Sequence, residues 1–167
     1  MNDLLKLLRK RRSIRKFQDK SIPESDLESI VDAARFAPTA RNAQPWEFVL
    51  IVKKNKLREL AGLAENGSFL DEAAACIAVF CSDTKYYLED GCAATCNILL
   101  AGEALGIGSC WIAGDKKPYC PQVIKLLNAP SGMKLVSLVA LGYPQDRSAF
   151  NEPVKRNLKE LMHWEKF

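Results

Sequence analysis

Between Ala37 and Trp46 the chain reads Ala-Pro-Thr-Ala-Arg-Asn-Ala-Gln-Pro-Trp, and this stretch concentrates the side chains best suited to binding chemistry. Proline fixes its own φ and biases the preceding residue out of helix, so Pro38 stops the helical pattern before it and Pro45 stiffens the exit. Thr39, Arg41, Asn42 and Gln44 then sit on a short loop. Together they can donate and accept hydrogen bonds in one plane, as the polar edge of a flat heterocycle requires. Pro, Asn and Thr also make ordinary turns, so on its residues alone the loop leaves both readings open.

A second cluster lies near the N-terminus. Residues 9–16 read Arg-Lys-Arg-Arg-Ser-Ile-Arg-Lys, six basic residues in eight positions. On a continuing helix Arg11 and Arg15 would share a face. Arginine forks match phosphate oxygens in pairs, and a hydroxyl such as that of Ser13 can complete the set. A solvated helix end whose cations complement the dipole, or a patch for a polyanion, fits the same residues. Lys155-Arg156, read unaided, is a solvated charge pair.

The elements that must position these groups follow from periodicity and punctuation. Leucines at 4, 5, 7 and 8 predict a helix over residues 3–12. Pro23 followed by Glu24 and Asp26 opens a second helix with Leu27, Ile30, Val31 and Ala34 as its apolar stripe. Residues 46–52 form a continuous apolar, β-rich run and predict a buried strand. A helix over 54–64 ends near the Asn66-Gly67 turn, and a short helical turn at 69–74 leads into a strand at 76–81. The longest helix, 86–105, is apolar on most sides and capped by Gly106; in a dimer it is a natural subunit contact. A strand at 107–113, a helix at 121–128 and a strand at 135–141 follow. The tail from 143 to 167 is polar, with a little helix at 158–162. No repeat or linker divides the chain, so residues 1–167 read as one domain, α+β or α/β in three layers.

Several function classes find no support. The chain has no G-x-S-x-G elbow, no P-loop and no H-E-x-x-H, and its one histidine is His163. Gly106-Ile-Gly108 lies after a helix and before a strand, the reverse of a dinucleotide fingerprint, and reads as a turn. A formal charge of +4 without a broad basic face argues against nucleic acid and for anionic small molecules. No apolar run is long enough to cross a bilayer, and no secretory signal opens the chain; a cytoplasmic protein is expected. Six cysteines include no C-x-x-C pair. They read as reduced core thiols rather than a metal site or disulfides.

Arg-Arg-Ser-Ile-Arg at 11–15 and Pro-Thr-Ala-Arg-Asn-Ala-Gln-Pro-Trp at 38–46, in that order and spacing, resemble the nitroreductase family of flavoproteins. The resemblance extends through Leu-Gly-Ile-Gly-Ser-Cys-Trp-Ile-Ala-Gly at 105–114 and Leu-Gly-Tyr-Pro at 141–144 to Lys155-Arg156. It implies an α+β fold, with a mixed, mainly antiparallel sheet flanked by helices. It also implies an intertwined homodimer with FMN at each interface. NADH or NADPH would deliver a hydride to flavin N5, which passes it to a small acceptor such as a nitroaromatic or quinone. No side chain would be the catalyst and no metal is implied. The alternative is a flavin-binding electron-transfer module that NAD(P)H does not reduce directly.

By the same resemblance, Arg11, Arg12 and Ser13, with Lys155 and Arg156, would hold the phosphate and ribityl end. Arg15 would lie at the N1/C2 edge of the ring. Pro38, Thr39, Asn42 and Gln44 would come from the partner subunit. The backbone of Ser109, Cys110, Trp111 and Ile112 would face the ring, with an N–H near N5. The family often has serine at Thr39, which keeps the hydroxyl. Its tail reads Lys-x-Arg, so the lysine here is shifted by one.

Overall fold

The structure is a computed structural model describing residues 2–146 and 153–167; the part of the expected polar tail at 147–152 lies outside them. Six helices and four strands alternate along the described chain: α1 (Asp3–Lys10), α2 (Glu24–Ala34), β1 (Trp46–Ile51), α3 (Lys54–Leu63), β2 (Ala75–Ser82), α4 (Tyr87–Ala104), β3 (Gly108–Ala113), α5 (Cys120–Leu126), β4 (Met133–Gly142) and α6 (Leu158–Leu161). Short 3₁₀ turns occupy Ala40–Asn42 and Ser68–Asp71. The sheet runs β1-β2-β4-β3 with every neighbour antiparallel. A parallel bridge from Ser13 to Ser109 makes it mixed at the β3 edge.

Each face of the sheet carries its own core, as period-two alternation dictates. Cys76, Ala78 and Phe80 of β2 join Leu138 and Ala140 of β4 beneath Leu57, Leu60 and Val123. Ile77 and Val79 join Val139 and Leu141 beneath Ile30, Ala34, Ala94 and Ile98. The result is helices α3 and α5 on one side, α2 and α4 on the other. A bulge at Val136 shifts the β2–β4 register, since Val79 pairs with Ser137 and Phe80 with Leu135. The bulged carbonyl accepts the Gly114 N–H at 3.1 Å. That bond fixes the turn leaving β3.

α1 ends two residues before the expected boundary. Arg11 is extended (φ −55°, ψ 133°), and its N–H closes the last turn on Leu7. Residues 11–17 therefore run as a strand-like ribbon along β3 and β4, and Arg11 and Arg15 do not share a helix face. The ribbon buries Ile14 and Phe17 and leaves Ser13 and Arg15 exposed. The bridges from Ser13 to Ser109 and from Phe17 to Pro144 hold the ribbon against the sheet. α4 buries Ala94, Thr95, Ile98 and Leu99 and ends, as expected, at Gly106 with φ 76°. α1 buries none of its residues, and Leu4, Leu5 and Leu8 stand exposed. Among the described residues no helix is long and apolar enough to cross a membrane.

Candidate functional site

The ribbon is held from both sides of Ile14. The Ile14 N–H donates to the Ser109 carbonyl at 2.9 Å, and the Gln18 N–H donates to the Tyr143 carbonyl at 2.8 Å. Two glycines make the close approach possible. A Cβ on Gly108 would stand 2.8 Å from the Ile14 side chain, and one on Gly142 would stand 2.6 Å from the Phe17 ring. Gly108 is thus a point of contact rather than part of a turn.

Two clefts open along this ribbon. The first, of about 590 Å³, is lined by Arg11, Arg12, Ser13 and Lys155, with Leu8, Arg9 and Pro153 at its rim. Arg12 donates to the Arg9 carbonyl and to its neighbour's carbonyl, Arg11 O, at 2.9 Å, so its guanidinium also finishes α1. Lys155 comes from the far end of the chain, whereas Arg156 reaches back to the Glu160 carbonyl at 3.5 Å. Three cations around a hydroxyl suit a phosphate-sized anion.

The second cleft, of about 500 Å³, has Arg15, Trp111 and Ile112 on its walls, facing Asn66, Phe69 and Lys117. The Arg15 guanidinium carbon lies 5.8 Å from the centroid of the Phe69 ring, close enough for a cation–π contact that orients it. Ser109 is buried, so its contribution is backbone. Because the Ser109 carbonyl points away from β4 to Ile14, strand alternation turns the Trp111 N–H and carbonyl to the same free side. Cys110 also lines this cleft. Burial raises its thiol above the ordinary range, partly opposed by Arg15, by a hydrogen bond with Ser13 and by Arg11. The thiol is therefore kept as a neutral wall, not a nucleophile.

The 38–44 loop lies elsewhere. It precedes β1, at the opposite edge of the sheet from β3, and Pro38, Thr39, Asn42 and Gln44 line neither cleft. Its backbone is unusual: Arg41, Asn42 and Gln44 all have positive φ, at 56°, 54° and 47°. Left-handed backbone costs about 1–2 kcal/mol per non-glycine residue, and such strain concentrates where geometry serves function. Thr39 Oγ1 accepts from the Gln44 N–H at 3.3 Å, and Gln44 Nε2 donates to Asn42 Oδ1 at 3.1 Å. Asn42 and Gln44 are exposed. The structure thus brings Arg11, Arg12, Ser13, Arg15, Trp111, Ile112 and Lys155 along one ribbon, and leaves the loop and Arg156 apart.

Four residues escaped the sequence reading. Asn66 and Phe69 were hidden because Asn66-Gly67 also reads as a turn. Lys117 sits in a loop with no pattern of its own. Asp90 stood beside Glu89 in the first turn of a helix, where an acid is ordinary; it is buried here and bonded to the Ala40 N–H.

Comparison with known proteins agrees with this arrangement. The model of the nitroreductase family matches residues 8–91 and 82–143. A protein of Archaeoglobus fulgidus with the provisional name NADH dehydrogenase/NAD(P)H nitroreductase is 37% identical over 175 aligned positions, covering all of both chains. The FMN reductase [NAD(P)H] of Bacillus subtilis is 29% identical over 89% of this chain and 69% of its own. Among solved structures, an FMN-dependent nitroreductase of Clostridium difficile superposes with a TM-score of 0.85 at 28% identity, covering 98% of this chain and 99% of that one. A provisionally described nitroreductase of Desulfovibrio desulfuricans, solved in complex with FMN, gives 0.83 at 28% identity over 100% and 99%. On the strength of the ribbon, its paired clefts and these matches, the chain belongs to the nitroreductase family.

Proposed function

We propose that this chain is an FMN-dependent oxidoreductase of a single domain that passes a hydride from NADH or NADPH to a small acceptor such as a nitroaromatic or quinone. One observation carries the reading: residues 11–13 line a cleft rich in cations, and Arg15, two residues on, lines a cleft walled by Phe69 and Trp111. That order of chemistries, anion site then aromatic-walled cleft, fits FMN along its length. The relatives named FMN reductase and the neighbour solved with FMN support the same reading.

Arg11, Arg12 and Ser13, with Lys155, would hold the phosphate, and Arg156 would join them only by leaving Glu160. Arg15 would set a fixed positive charge beside the N1/C2 edge, where reduction adds negative charge, and so favour reduction. The Trp111 N–H would supply the free donor for the ring. Bound FMN supplies the hydride-accepting and hydride-donating centre, which no side chain here provides.

The complete site takes two chains in this reading, with Pro38, Thr39, Asn42 and Gln44 closing over the partner's flavin. Exposed Leu4, Leu5 and Leu8 on α1 and Leu158, Leu161 and Trp164 on the tail are the apolar surface that a homodimer would cover. All six cysteines are free thiols, which suits the reducing cytoplasm.

Absorbance spectroscopy tests the function directly. The purified protein, reconstituted with FMN, is expected to be yellow and to bleach on anaerobic addition of NADH or NADPH. A colourless protein that takes up no FMN would refute the reading. A yellow protein bleached by dithionite but by neither nicotinamide would identify an electron-transfer module instead.

A further inference from the structure

The 39–44 loop is held in a strained form, and the residue that reaches it from elsewhere in the fold is Asp90. Asp90 lies in the first turn of α4, 5% exposed, and its Oδ1 accepts the Ala40 N–H at 3.0 Å. The loop's remaining side-chain bonds, Thr39 to Gln44 and Gln44 to Asn42, are internal. They can tighten the loop but cannot fix where it sits. A small cavity of about 220 Å³ beneath it is lined by Ala40, Arg41, Thr84, Lys85 and Asp90.

Two polar atoms at this cavity are buried without a partner: Asp90 Oδ2 and Thr84 Oγ1. Buried polar groups are normally paired, and leaving them unpaired is destabilising. An alanine or leucine at position 90 would suit an apolar helix better. A carboxylate that anchors a backbone N–H with one oxygen and leaves the other unbonded is therefore placed for position rather than for stability.

We propose that Asp90 is a positioning residue: through the Ala40 N–H it holds the left-handed 39–44 loop where Thr39, Asn42 and Gln44 meet the flavin of the partner subunit. The part of this inference that concerns flavin rests on the proposed function; the tether itself does not. Asp90 acts through the loop and touches no reacting atom. Asp90→Asn keeps an acceptor for the Ala40 N–H, so it separates acceptance of that bond from charge. Thr84→Val removes the other unpaired atom and leaves the tether alone.

The test combines hydrogen–deuterium exchange, read by mass spectrometry on the purified protein, with FMN titration. Asp90→Ala is expected to speed exchange confined to residues 39–44 and to weaken FMN binding roughly 10-fold or more, as loss of a charge-assisted bond implies. Asp90→Asn and Thr84→Val are expected to stay within about 3-fold of wild type, because an amide still accepts and a methyl merely fills space. Should Asp90→Ala fail to fold, Asp90→Leu, close in shape and lacking an acceptor, repeats the measurement. Exchange unchanged in the loop, exchange raised equally through β2 and α4, or Asp90→Asn as damaging as Asp90→Ala would each overturn the proposal. If the wild type takes up no FMN, the flavin reading falls, while the exchange comparison still decides the tether.

Discussion

Arg11 offers the sharpest test of the phosphate end. It lines the first cleft beside Ser13 and Lys155, and unlike Arg12 it does not finish α1 with its guanidinium. Arg11→Ala therefore removes a phosphate ligand with little effect on the helix. A hydrogen bond to a charged group is worth about 1.5–3 kcal/mol, roughly 10- to 150-fold in affinity. Arg11 is only half-buried and the cleft is open, so screening by solvent and salt pulls the expectation toward the lower end, about 10- to 30-fold at ~0.15 M salt, and more at low salt. Riboflavin supplies the control, because it has the ring and ribityl chain but no phosphate. Titrating flavin fluorescence against wild type and Arg11→Ala should show a weakened FMN constant and a riboflavin constant changed by less than about 2-fold. The difference should narrow as pH falls below the second phosphate pKa of about 6, since the ligand then carries less charge. Equal losses for both flavins, or none for either, would refute the assignment of this cleft to phosphate.

Four further outcomes are expected. Lys155→Ala should weaken FMN more than Arg156→Ala, since Lys155 lines the cleft and Arg156 is turned to Glu160; the same titration decides it. Gly142→Ala drives a Cβ to 2.6 Å from the Phe17 ring. Overpacking of this kind costs about 1–3 kcal/mol, hence a melting temperature lower by roughly 2–12 °C, with weaker FMN binding as the ribbon shifts. A double variant, Leu5→Glu with Leu8→Glu, charges the exposed apolar side of α1. It should lower the mass seen by light scattering to one chain and release flavin together with it. Finally, burial pushes the Cys76 thiol up to about 12 from 9.0. Below pH 9 the thiol is neutral folded or unfolded and contributes its full stability. Above it the unfolded chain ionises first, so stability falls as pH rises toward 12. Urea midpoints at pH 8 and 10.5 should differ in wild type and differ less in Cys76→Ala.

Much of the fold was legible because its signals are local. Pro23 with two acids opened α2, Gly106 closed α4, and apolar runs marked β1 and β2. The strands and the helices given bounds were expected within about two residues of their observed ends, whereas the 3₁₀ turn Ser68–Asp71 stops three residues before the expected 74 and that at Ala40–Asn42 was not expected. Strand order was not legible, since β1-β2-β4-β3 depends on pairings far apart in sequence. The ribbon at 11–17 was missed for a related reason. The leucine-rich segment before it is helical, and what straightens the chain is Ile14 and Phe17 meeting Gly108 and Gly142, contacts about a hundred residues distant. A helical periodicity that runs into a basic stretch gives no warning of where tertiary packing takes over.

The site was legible as residue types and illegible as geometry. Arg11 and Arg15 were expected to share a helix face; instead Arg11 lines the first cleft with Ser13, and Arg15 lines the second. The spacing of four between Arg11 and Arg15 suits one face of a helix and one side of a strand alike, so it could not tell the two apart. Three left-handed residues in the 38–44 loop could not be foreseen, since none is glycine and the side-chain bond that reaches the loop from elsewhere comes from Asp90, 50 residues beyond Ala40. What the fold adds is a separation. β1 and β3 stand three inter-strand steps apart, about 14 Å at 4.8 Å per step, so within one chain the amide loop and the clefts sit at opposite edges of the sheet. In the proposed dimer, one flavin gripped by both would touch two copies of the chain. In that arrangement flavin affinity and subunit association would be a single equilibrium, and diluting the protein would release the cofactor.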